Sequence, residues 1–189
     1  MDAVTHSDAI GAYNARAKAM GWTLRCAPAA GFKRTELADA LDLWRAKADG
    51  RKMPSRADMS ARAMKPFLRQ MSIVERVATE KGARYRVRLH GSKLASYLGD
   101  KTGRYLEEVM PPGTAASYAA VYDTMLKLLV PLRLVINYES PKIDYLSGES
   151  LIAPLAAPGK ASPLILSVTY LDSRERSAIA PTRSATPHA

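Results

Sequence analysis

The side chains that most often carry chemistry are few and scattered in this 189-residue sequence. Its three histidines, His6, His90 and His188, show no His-x-x-x-His or histidine-plus-carboxylate spacing of the kind that holds a metal. Cys26 is the single cysteine, which excludes an internal disulfide and a cysteine-based metal cluster. No Gly-x-Ser-x-Gly elbow, Walker A loop or Gly-x-Gly-x-x-Gly turn occurs. Lys101-Thr102-Gly103 matches one element of penicillin-binding enzymes, but the Ser-x-x-Lys that would accompany it is nowhere in the chain. Glu107 and Glu108 are adjacent and point to different sides of a helix, a poor arrangement for an acid–base pair. The expectation is a protein that is not an enzyme and holds no metal or other cofactor.

Arginine is the chemistry the chain does offer. The formal charge is +10, and it is unevenly placed. From Arg45 to Arg104 there are 16 Lys and Arg against 5 Asp and Glu, a net of +11, while the rest of the chain is close to neutral. Within that stretch Arg84, Arg86 and Arg88 alternate with Tyr85, Val87 and Leu89, so strand alternation puts the arginines on one face, together with His90. Guanidinium groups grip phosphate or carboxylate in bidentate fashion, so such a row marks an anion site or an exposed sheet face whose arginine stems cover apolar surface; Glu75 or Arg76 of the neighbouring strand faces it, depending on a register the sequence leaves open. A nucleic-acid or anionic-surface binder is the alternative reading of the same charge. Against it, a single-strand binder needs aromatic platforms among its cations, and Phe67 and Tyr85 read as core. No helix carries a concentrated basic face.

The elements that position these residues follow from periodicity. A stripe of Leu37, Leu41, Trp44 and Ala48 predicts a helix opening at Thr35 and closed by Gly50. A short helix with Met64, Phe67 and Leu68 comes next. Met71–Ala78 and Arg84–His90 form a hairpin turned at Glu80-Lys81-Gly82. Two short helices and a long one follow, the last with Tyr118, Val121, Tyr122, Met125, Leu128 and Leu129 on one face. The strands Leu132–Tyr138, Lys142–Pro154 and Leu164–Tyr170 complete the order. A hairpin, a helical insert and a three-strand meander imply an α+β domain over residues 35–171: a five-stranded antiparallel sheet with helices on one face, plus an N-terminal helix. Residues 1–34 read as an arm, partly helical or flexible, and residues 172–189 as a disordered tail rich in Ser, Thr, Pro and Ala. The most apolar run, Met125–Ile136, is interrupted by Lys127, Pro131 and Arg133 and is shorter than the ~20 residues of a membrane span. With no secretory signal at the start, the expected location is the cytoplasm.

Several short motifs stand in order: Gly50 to Asp58, Met64-Lys65-Pro66-Phe67-Leu68, Tyr85 to Ser92, Leu98-Gly99, Thr102-Gly103-Arg104-Tyr105-Leu106 and Glu149 to Leu155. In this order the chain resembles the alphaproteobacterial family of single-domain PAS-like proteins, over roughly residues 36–171. The resemblance implies a PAS fold, a cup between sheet and helices, and a sensory or regulatory module that binds a small ligand or a partner protein and signals in trans. The ligand-binding candidates it implies are Arg88, His90, Tyr97, Arg104, Tyr118, Tyr122 and Tyr145, with Arg88 and Arg104 for an anion and the tyrosines offering hydroxyls. No histidine lies on a helix to ligate haem, and Cys26 lies outside the helical region where flavin-type light sensors form their adduct. The helix bearing Trp44 either covers the sheet's outer face or pairs with a second subunit, and a homodimer is expected because an uncovered apolar sheet face invites a partner.

Overall fold

The computed structural model describes residues 3–80, 82–140, 143–157, 159 and 163–173. The order is α1 (Ala3–Ala19), β1 (Arg25–Pro28), α2 (Thr35–Ala48), β2 (Met71–Thr79), β3 (Gly82–His90), α3 (Ser92–Leu98), α4 (Leu106–Val109), α5 (Pro112–Leu128), β4 (Leu132–Ser140), β5 (Ile143–Leu155) and β6 (Leu164–Ser173). The named strands pair antiparallel throughout, in the order β1-β4-β5-β6-β2-β3, and the class is α+β.

Two expectations are corrected. The sheet has six strands, not five, because residues read as an arm supply β1, which pairs Arg25–Pro28 with Leu132–Val135 of β4. The sheet is also covered on both faces, not one. Strand alternation sorts the apolar residues into two cores. Ile152 and Ile165 face a core shared with α1, α4 and α5, which includes Tyr13, Trp22, Val121, Tyr122 and Met125. Leu151, Ala153, Leu155, Leu166 and Val168 face the opposite way, against Leu37, Leu41, Trp44 and Ala48 of α2. Met59, Met64 and Phe67 extend that second core from a run of turns, where a short helix was expected. The sheet face expected to invite a second subunit is therefore occupied by α2, and Trp44 Nε1 donates to the Pro154 carbonyl beneath it at 2.9 Å.

The arm is tied in by more than packing. Asn14 of α1 donates from Nδ2 to the Cys26 carbonyl at 2.8 Å and accepts from the Cys26 N–H at 3.0 Å. At the other edge, the loop after α3 runs beside β3. The Gly103 N–H donates to the Val87 carbonyl at 2.7 Å, and the Val87 N–H donates to the Arg104 carbonyl at 2.9 Å. The segment read as a tail begins inside β6, which ends at Ser173; the rest of it lies outside the described residues. No helix among the described residues is long and apolar enough to cross a membrane.

Candidate ligand cavity beneath the helices

A cavity of about 160 Å³ lies between the sheet and the α3–α5 segment. Its walls are mostly apolar, with Val74 and Val87 from the first hairpin, Leu94 from α3, Leu106 from α4 and Ile136 from β4. Polar groups enter these walls from β2 (Ser72), β3 (His90), the loop after α3 (Lys101), α5 (Tyr118 and Tyr122) and β6 (Ser167 and Thr169).

His90 reaches the cavity through an irregularity in the hairpin. β2 alternates regularly, with Ser72 and Val74 toward the cavity and Met71 and Ile73 in the α2 core. On β3 the register shifts: Ile73 pairs with Leu89, but Val74 pairs with Val87. Arg88 is the extra residue, a β-bulge. Before it, Tyr85 and Val87 face the cavity-side core; after it, Leu89 packs against the α2 core and His90 turns to the cavity. The expected grouping of His90 with the arginines and of Leu89 with Tyr85 and Val87 fails at this one position.

His90 Nδ1 lies 3.1 Å from the Ser72 hydroxyl, its cross-strand partner. Its Nε2 is buried and has no hydrogen-bond partner among the described residues. Burial holds the imidazole pKa below its ordinary 6.5, the Lys101 charge pushes in the same direction, and the Asp100 carboxylate opposes them. The unfolded chain therefore takes up a proton here before the folded one does. This contribution to stability is complete above about pH 6.5 and is lost as pH falls through the lower folded value. Urea unfolding between pH 7.5 and 5.5 is expected to show a decline of at most about 1.4 kcal/mol per pH unit from this group. A His90→Gln variant is expected to flatten it, and an equal slope in the variant would assign the decline elsewhere.

Lys101 is only 9 % exposed. Its Nζ donates to the carbonyl of Val109, the last residue of α4, at 3.1 Å. Burial lowers its pKa. Among the described residues no carboxylate forms an ion pair with it. The adjacent Asp100 is turned outward, where its Oδ1 accepts from the Thr102 N–H at 2.9 Å and the Thr102 hydroxyl at 2.8 Å. On the sheet side, Ser150, Ser167 and Thr169 form a triangle of hydroxyls with oxygens 2.8–3.1 Å apart.

The other candidates separate into groups. Tyr118 and Tyr122 of α5 line the cavity with His90, and Tyr122 stacks at a tilt on Tyr85 with ring centroids 5.3 Å apart. Tyr97 is not in the wall; the Lys93 ammonium sits 4.7 Å from its ring centroid. Arg88 and Arg104 lie outside the cavity and are already paired, Arg88 with Glu75 at 2.6 Å and Arg104 with Glu108 at 3.1 Å. Tyr145 falls in β5, and its side chain lies outside the described residues. Lys101, Ser72, Ser167 and Thr169 were not among the sequence candidates.

The arginine row is neutralised within the chain. Arg86 and Arg88 both hold Glu75, and Arg84 holds Glu107 and Glu108 while lying over the Tyr105 ring. Arg51 pairs with Asp58 at 2.9 Å and Arg76 with Asp123 at 3.5 Å. Glu107, Glu108 and Asp123 come from beyond the basic stretch, so the net of +11 counted along the chain overstates the charge presented in space.

Comparison with protein-family models matches residues 32–170 to the PAS domain. The chain belongs to the PAS domain family. The match takes in β2–β5 and β6 as far as Tyr170, the five strands expected from the sequence, and leaves α1 and β1 outside. In this PAS domain the cavity lies between the sheet and the α3–α5 segment, and the domain is by its family a sensory or regulatory module. No curated protein matches the chain.

Proposed function

We propose that this PAS domain is a non-enzymatic sensor whose input is a small molecule held in the cavity beneath α3–α5, and whose output passes in trans to a protein partner. The observation that carries the reading is the cavity itself, with its apolar walls and its few convergent polar groups. At about 160 Å³ it matches cavities that accept a single aromatic ring. α3, α4 and the loop between them contribute Leu94, Lys101 and Leu106 to the wall, so an occupant touches elements whose outer surfaces face solvent.

The alternative, a nucleic-acid or anionic-surface binder, loses support from the internal pairing of Arg84, Arg86, Arg88 and Arg104. Salt-dependent nucleic-acid binding needs cations free to displace counterions.

Titration with toluene, followed by methyl NMR, tests the cavity. Saturable shifts are expected at Val74, Leu94 and Ile136, and a Leu94→Trp variant, which fills the space, is expected to abolish them. Shifts that never saturate, or that fall only on surface methyls, would overturn the reading.

A further inference from the structure

Resting on that reading of the cavity, we infer that its ligand is a compact monocarboxylic acid, bound as the carboxylate against Lys101 with its apolar body between the sheet and α3–α5.

The argument starts from the cost of the lysine. A buried ammonium is expensive unless it is paired and hydrogen-bonded. Lys101 makes one hydrogen bond, to a neutral carbonyl, which leaves two of its three N–H groups to be served. The nearest acid in sequence, Asp100, is committed to its own turn with Thr102. Among the described residues no carboxylate lines the cavity that Lys101 borders.

His90 adds a second donor of the right kind. When the Ser72 hydroxyl donates to Nδ1, the proton resides on Nε2, the buried atom that lacks a partner. A carboxylate has two oxygens and accepts from several donors at once, so one head group serves both the ammonium and the imidazole N–H. Its charge also offsets the cost of keeping Lys101 ionised.

The rest of the lining limits the ligand. One lysine beside a neutral histidine balances a single negative charge, not the double charge of a phosphate monoester. The arginines, which grip phosphate in bidentate fashion, are paired elsewhere. Val74, Val87, Leu94 and Ile136 present no polar side-chain group, and the Ser167 and Thr169 hydroxyls bond to each other and to Ser150, so the body is apolar. The volume, about 160 Å³, holds one ring or a chain of five or six carbons.

Benzoate, benzamide, toluene and inorganic phosphate are the probes, read by calorimetry and by methyl NMR on the whole chain. Benzoate is expected to bind at least about tenfold more tightly than its neutral isostere benzamide, and phosphate not to compete with it. A Lys101→Met variant is expected to lose at least about tenfold in benzoate affinity while keeping toluene, which also shows that the variant is folded. In the unaltered protein, benzoate is expected to raise the pH at which the Lys101 ¹⁵Nζ resonance titrates. Benzoate binding no better than benzamide, or unchanged in Lys101→Met, would overturn the carboxylate assignment while toluene binding left the cavity reading in place. Failure of all the ring probes would remove the cavity reading itself.

Discussion

A chain that begins at Ala29 is expected to aggregate and to melt at least roughly 6–12 °C below the intact protein, a loss of about 3 kcal/mol or more. The family match begins at residue 32, so a protein cut to the matched residues would lack α1 and β1. Those elements and the connection between them place Ile10, Tyr13, Ala17, Trp22, Leu24 and Cys26 in the cavity-side core. Burying each of the larger side chains contributes roughly 1.5–3 kcal/mol, offset in part by the entropy of ordering the segment. Removing β1 also leaves Leu132–Val135 of β4 without their ladder partners, and an uncovered strand edge is a template for pairing between chains. Light scattering after size exclusion, with thermal unfolding of both proteins, provides the check. A truncated protein that stays in the same oligomeric state with an unchanged Tm would show that the arm is an accessory.

Gly91→Ala is expected to destabilise the fold by about 3 kcal/mol, at the upper end of the range for overpacking, with a Tm roughly 6–12 °C lower. The reason is proximity, since the backbone of Gly91 has ordinary dihedral angles, φ −66° and ψ 145°. A Cβ built there meets the Arg69 carbonyl oxygen at 2.5 Å and the Leu68 carbonyl oxygen at 2.6 Å. Both obstacles are backbone, so no rotamer change relieves them. The Gly91 N–H donates to the Met71 carbonyl at 2.8 Å, and the Lys93 N–H to the Arg69 carbonyl at 2.9 Å, which fixes the start of α3 against the chain entering β2. Displacing that junction moves His90 and Leu94, one on each side of it, so toluene binding is expected to weaken along with stability. Chemical denaturation of the alanine variant measures the first effect, and a loss below about 1 kcal/mol would show that the junction yields easily.

The parts of this molecule legible in the sequence are those where periodicity and burial coincide. The stripe Leu37, Leu41, Trp44 and Ala48 is buried as expected, and so are Val121, Tyr122, Met125 and Leu128 of α5. Leu129, placed on the same face by spacing, instead closes the helix in the left-handed region at φ 55°. The strands of the hairpin and the meander alternate because each faces two different cores. β1 escaped notice because it has only four residues and ends in a proline, too short for alternation to register. α1 shows in the sequence as no more than a partly helical arm, because its buried face relies on small residues and widely spaced aromatics, such as Ala17 and Tyr13.

The candidate site was legible only in part, for a different reason. Tyr118 and Tyr122 follow from helical spacing, but the direction of His90 depends on a bulge that alternation cannot anticipate. Lys101 sits in Asp100-Lys101-Thr102-Gly103, a sequence that reads as a solvated turn. Its burial arises from α4 folding over it, a contact between elements rather than a property of either. Arg88 and Arg104 read from the sequence equally as anion-binding groups or as structural ion pairs, and in the fold they pair with Glu75 and Glu108.

The pairing of Asn14 with Cys26 has a chemical consequence of its own. A side-chain carboxamide is a peptide group in miniature, with one carbonyl and the N–H groups to match it. At Cys26 it accepts from the N–H and donates to the C=O, as the backbone of a further strand would. The sheet is thus terminated by the functional group that would otherwise extend it. An aspartate at this position, whether by substitution or by slow hydrolysis of the amide, would keep the acceptor and lose the donor. It would set a negative charge against the Cys26 carbonyl, so the chemical ageing of one side chain would reopen the end of the sheet.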